Sequence, residues 1–136
     1  MSKSAAEKLG FKPGMRVLVE GAPVDVALEL PTSGEGPYDL LLFFTPDAAA
    51  IADAAPRADS LYREGARLWF AYPKKTGRIR TDISRDVGWE PVAAQGLAGV
   101  AQIALDDTWS ALRFRRRSEI QTMTRSFGAT PGTPKA

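Results

Sequence analysis

YDLLLFF (residues 38–44) ends in five consecutive apolar side chains. Successive residues of a strand point to opposite faces, so such a run is covered on both sides when it forms a strand. ARLWFAY (residues 66–72) repeats the pattern with a single charge near its start. Strands of this kind are characteristic of parallel sheets sandwiched by helices, and the two segments are therefore expected to be central and parallel. Between them Thr45 can cap a helix with Pro46 at its first position, and Ile51, Ala55, Ala58 and Leu61 fall near helical spacing. Pro56 is expected to kink or split that helix, because it lacks the amide the ladder needs.

Working outward, MRVLVE (residues 15–20) is a compact β-branched run between Pro-Gly and Gly-Ala-Pro, which predicts a first buried strand. Ahead of it, Ser4 and Glu7 have capping-box spacing and Gly10 suits a helix stop, so a short helix is expected over Ala5 to Leu9. VDVALEL (residues 24–30) suggests a further helical turn or two, and residues 30–37 have loop composition. Downstream, Thr81 is expected to cap a helix through Val87, Trp89 and Val92 to a stop near Gly96. GVAQIAL (residues 99–105) and WSALRFR (residues 109–115) are joined by a linker too short for anything but an antiparallel hairpin. The order implies one three-layer α/β domain over residues 1–117 with right-handed crossovers. Residues 118–136, rich in Thr, Gly and Pro, are expected to form a largely disordered tail.

The absent residue types exclude more chemistry than those present suggest. The 136 residues include no Cys and no His. Disulfides, thiolate nucleophiles and Cys- or His-based zinc sites are therefore excluded, and with them Ser-His-Asp and Cys-His hydrolysis. Lys and Arg number 18 against 16 Asp and Glu, a formal charge of +2, so any basic partner surface must be local. No apolar run approaches the roughly 20 residues of a bilayer span, and MSKSAAEKLG lacks the apolar core of a secretion signal. No membrane partner and a cytoplasmic location are expected.

The local basic surface has a candidate. AYPKKTGRIRTDISRD (residues 71–86) gathers five cations directly after an apolar strand. Ligands of open parallel sheets collect at the carboxyl ends of strands, where this loop leaves. Lys74, Lys75, Arg78 and Arg80, with backbone freedom from Gly77, free amides after a cap at Thr81 and an apolar wall from Tyr72, are expected to bind a phosphate- or carboxylate-bearing ligand. Asp82 and Asp86 are expected to balance Arg78, Arg80 and Arg85. Arg113, Arg115, Arg116 and Arg117 form a second basic cluster, which together with the first could make a stripe for nucleic acid. Asp106 and Asp107 suit a turn better than a metal site. Trp69 is expected in the core, whereas Trp109, beside the acidic turn, is a candidate stacking surface.

Two resemblances add to this reading. KPGMRVLVEGAP, DLLLFF, REGARLWFAYPK and the terminal hairpin resemble successive pieces of the Rossmann-like methyltransferases that use S-adenosylmethionine. LGFKPGMRVLVEGAP, YPKKTGRIRTDISRDVGWE and VAQIALDDTWSALRFR resemble the small bacterial family called domain of unknown function 3052, over roughly residues 8–116. Together they imply a methyltransferase-like, mostly parallel sheet without the second and third strands of that fold. The wider resemblance departs at the cofactor contacts. Where those enzymes carry a GxG turn this chain has Gly21-Ala22-Pro23, and Pro23 removes an amide donor. No second strand ends in an acidic residue for the ribose, although Glu20 and Glu29 are candidate substitutes. A non-catalytic protein without cofactor or metal is therefore expected, with an anionic small molecule as its ligand. A nucleic-acid-associated protein and an active methyltransferase are the alternatives. Without those outer strands, the strand of residues 15–20 would be an edge, covered by the N-terminal helix or by a second subunit of a homodimer.

Overall fold

A computed structural model of the chain describes residues 5–23, 30, 32, 34–74, 81–84 and 87–117. Five strands form one mixed sheet: β1 (Val17–Glu20), β2 (Leu40–Phe44), β3 (Arg67–Pro73), β4 (Leu97–Ala104) and β5 (Trp109–Arg116). Their order is β1-β2-β3-β5-β4. β1 pairs parallel with β2, and β2 with β3, whereas β5 runs antiparallel to both β3 and β4. Four of the five strands thus share one direction. The central parallel pair is the one predicted from residues 38–44 and 66–72, and the predicted hairpin is β4-β5.

Both faces of the sheet are covered, as the unbroken apolar runs require. Leu41 and Phe43 of β2, with Leu68, Phe70 and Tyr72 of β3, pack beneath Ile51, Ala55 and Ala58 of α2 (Ala48–Leu61) and Val92 of α3 (Glu90–Ala94). Leu40, Leu42 and Phe44, with Trp69 and Ala71, face the other way toward Leu9 of α1 (Ala5–Leu9), Phe11 and Met15. The alternation along each strand follows directly from the pleat. α1 is too short to be stable alone and is tied down by the sheet: Trp69 Nε1 donates to the Leu9 carbonyl at 2.9 Å and Arg67 Nε to the Gly10 carbonyl at 3.1 Å.

Two expectations for the helices change. α2 begins after Asp47, whose side chain accepts from the Ala50 amide, and not at Thr45. Thr45 is buried, and its hydroxyl donates to the Ala71 carbonyl at 2.9 Å, so it serves the sheet. Pro56 neither splits nor ends α2, which is continuous from Ala48 to Leu61. Pro56 and Ala52, whose carbonyl loses its partner, both lie on the exposed face, where water can take that bond. The helix predicted from Thr81 to Gly96 contracts to α3. Gly88, at φ +105°, interrupts the path, and Gly96, at φ +85°, ends it. The segment VDVALEL through Glu29, Ser4 and residues 118–136 lie outside the described residues.

Candidate functional site

The carboxyl ends of β1, β2 and β3 open on one edge of the sheet, because the three run parallel. β3 leaves it through Tyr72, Pro73 and Lys74. Lys74 remains fastened to the hairpin, its amide donating to the Thr108 carbonyl at 2.8 Å. Lys74 is half-buried at this exit. Tyr72 is 3% exposed and stands edge-on to Trp89 with ring centroids 5.6 Å apart. Gln102 Nε2 donates to its hydroxyl at 2.8 Å. The Tyr72 ring is thus part of the core beneath α3. Lys75, Arg78 and Arg80, with Gly77, Arg85 and Asp86, lie outside the described residues.

Thr81 departs from expectation. No helix starts at it among the described residues; its hydroxyl oxygen accepts from the Ile83 amide at 3.2 Å, a local turn that leads buried Ile83 into the core. Asp82 crosses to α2, where its Oδ1 accepts from the Ala48 amide at 2.9 Å. Together with Asp47 it places two carboxylates on the first amides of that helix. These anions satisfy the donors and the positive end of the helix dipole from within the chain. Asp47 was recognisable from its position before an alanine-rich helical run. Asp82 was not, because its partner lies 34 residues away.

At the carboxyl end of β1, Glu20 accepts from Arg57 Nε of α2 at 2.7 Å. That hydrogen bond and the carboxylate's charge raise the Arg57 pKa above its ordinary value. Glu20 is therefore engaged with a helix, not presented to a ribose. The turn beyond it passes close to β2: Gly21 has φ +79°, and a Cβ there would meet the Phe44 carbonyl oxygen at 3.1 Å. Asp106 belongs to a turn, as expected, its Oδ1 accepting from the amides of Thr108 and Trp109 at 2.8 Å each. No group of three or more acidic side chains able to hold a metal occurs among the described residues. Trp69 is in the core, and so is Trp109, which is 3% exposed and packs edge-on against Phe44. Trp109 offers no stacking surface in this arrangement.

The opposite edge, where the parallel strands begin, carries paired charges. The Arg16 amide donates to Asp39 Oδ2 at 2.9 Å, and Arg63 forms an ion pair with Asp39 Oδ1. Arg116 pairs with Asp59 at 2.6 Å and stacks over the Tyr62 ring at 5.2 Å. The backbone hydrogen bond from Arg16, opposed by burial and reinforced by Arg63, lowers the Asp39 pKa. A depressed carboxylate stabilises the fold above its unfolded pKa, and that contribution disappears as pH falls through the folded value. Asp39→Asn is therefore expected to melt below the unmodified protein at neutral pH, and the gap should narrow as pH falls below the ordinary aspartate value of about 4. Thermal melts of both proteins across that range check this; a gap independent of pH would contradict it.

Among known proteins, no family model matches the chain and no curated protein matches it. No helix among the described residues is long and apolar enough to cross a membrane.

Proposed function

We propose that the protein is a non-catalytic, cytoplasmic binding protein whose basic segment, beginning at Lys74, holds a phosphate- or carboxylate-bearing ligand at the carboxyl end of β3. The observation that carries the reading is the convergence of three parallel carboxyl ends on the edge where that segment leaves the sheet. Lys75, Arg78 and Arg80 join Lys74 on sequence grounds, with the Thr81 turn at the segment's far end and Tyr72 supporting its start from within the core. The amides of α2 are assigned no part, since Asp47 and Asp82 occupy them.

The finer architecture belongs to the same proposal: a Rossmann-like, methyltransferase-like sheet without two outer strands, related to domain of unknown function 3052. The antiparallel β5 between β3 and β4 supports it, as does β1 at the sheet's edge. A homodimer formed through that edge remains part of the reading. Against methylation stand Pro23 in place of a glycine and the engagement of Glu20 by Arg57.

The test is thermal stabilisation of the protein by a panel of nucleotides, polyphosphates and polycarboxylates. Charge-assisted hydrogen bonds contribute roughly 1.5–3 kcal/mol each, so Lys74→Ala with Lys75→Ala should weaken binding well over tenfold and abolish the stabilisation. The unliganded variant should melt close to the unmodified protein, because surface substitutions usually change stability by about half a kcal/mol or less. Absence of stabilisation across the panel would refute the site. Saturable binding of S-adenosylmethionine in a calorimetric titration would favour the enzyme reading instead.

A further inference from the structure

The sheet ends on one side in β4, which among the described strands pairs with β5 alone. Its eight residues, LAGVAQIA, contain no charge and no proline, two of the devices that keep an edge from pairing with another chain. Which of its backbone groups face outward follows from the two ends of the hairpin. The Leu105 amide donates to the Trp109 carbonyl and the Arg117 amide to the Gly96 carbonyl, so Leu105 and Gly96 face β5. Antiparallel strands alternate inward and outward residues, which turns Ala104 and Gln102 outward at one end of β4 and Leu97 and Gly99 outward at the other. Lys8 Nζ agrees with this, reaching the Ala104 carbonyl from α1 at 2.8 Å. Between Gly99 and Gln102 the alternation slips, since Val100 is the extra residue of a bulge.

We propose that β4 pairs antiparallel with β4 of a second copy of this chain, about a twofold axis between Val100 and Ala101. Such a contact uses the same strand on both copies and closes on itself. The bulge selects the register: only there does the wider gap of one strand face that of the other, so that Leu97 and Gly99 meet Ala104 and Gln102 of the second copy. The Ala104 carbonyl can accept from that copy while holding Lys8, because it has two lone pairs. Half-buried Ile103 then lies opposite half-buried Ala98 of the second copy, and no charges oppose one another along the strands. The charges lie beyond the ends and favour the same orientation. Exposed Asp106 and Asp107 follow the end of β4, and exposed Arg117, bonded to Gly96, stands at its start. An antiparallel copy therefore brings its acidic turn to the arginine end, twice by symmetry, whereas a parallel copy would set like charge against like. Within one chain these groups are roughly 25 Å apart by strand rise, so they meet only between copies. The contact is separate from the anion site, and it uses an edge of eight residues where one through β1 would use four.

The test is sedimentation velocity of the full chain up to millimolar concentration, with variants that act on the backbone and on the charges separately. Native protein should be a reversible dimer. Gly99→Pro removes an outward amide and none that bonds β5, so it should stay monomeric where native protein is mostly dimer, with an unchanged circular dichroism spectrum. Asp107→Arg should weaken dimerisation about tenfold, and so should Arg117→Asp, because each turns both end contacts into repulsions. Mixed in equal amounts, the two charge variants should form a heterodimer about as readily as native protein dimerises, since every end contact is again between opposite charges. That recovery also excludes misfolding as the cause of the separate losses. The proposal is overturned if native protein stays monomeric throughout, if Gly99→Pro and both charge variants dimerise as native protein does, or if the mixture associates no better than its components.

Discussion

Phe70→Ala is expected to lower stability by about 3–5 kcal/mol, the largest loss from any single truncation in this chain. Phe70 lies in the central strand of the sheet and is fully buried. Its ring stacks on Phe43 at 5.6 Å and meets Phe114 and Trp89 edge-on at 5.5 and 5.9 Å. Truncation therefore opens a cavity bordered by β2, β5 and the segment leading into α3, and relaxation of one wall is resisted by the others. A fall in melting temperature on the order of 10–20 °C should accompany it. Phe70→Leu should lose appreciably less, because most of the volume remains. Chemical denaturation of both variants checks the ranking; an alanine variant within about 1 kcal/mol of the unmodified protein would mean that this aromatic cluster does not hold the two layers together.

Gly88→Ala is expected to lower stability by about 3 kcal/mol for two separable reasons. The residue sits at φ +105°, where a side chain is strained, and its new Cβ would lie 2.4 Å from Ile83 Cγ2. Ile83 is fully buried and has no free direction in which to move. Gly14 provides the comparison, with φ +95° and nothing within 4 Å of a Cβ. Gly14→Ala should show only the backbone strain, on the order of 1 kcal/mol. The difference between the two variants in equilibrium unfolding measures the Ile83 clash, and equal losses would show that the clash is absent.

How far these features could be read in advance depended on how local their causes are. β2 and β3 were legible because side chains on both faces are apolar, and burial on both faces admits few arrangements. The β4-β5 hairpin was legible because its linker permits only one connection. The start of α2 was misread at Thr45, since the bond that claims the hydroxyl comes from Ala71 on a neighbouring strand. Gly88 and Pro91 stand in the middle of the helix expected from Thr81, and Gly88's left-handed backbone is where the pattern gives way. Within the candidate site, the position of Lys74 followed from the end of β3. The diversion of Asp82 to α2 and of Glu20 to Arg57 did not, because each is a contact made only after the layers pack. The place of β5 likewise depends on how the layers assemble: it inserts between β3 and β4 instead of following β4 outward.

The most direct test of the proposed anion site is a two-dimensional amide NMR titration of the full chain with inorganic pyrophosphate. The predicted result is saturable shift changes concentrated at Lys74, at Thr81 and at Thr108, whose carbonyl holds the Lys74 amide, with little change along β1. Shifts absent at saturating pyrophosphate, or confined to Arg113, Arg115 and the neighbouring end of β4, would contradict a site at the carboxyl end of β3.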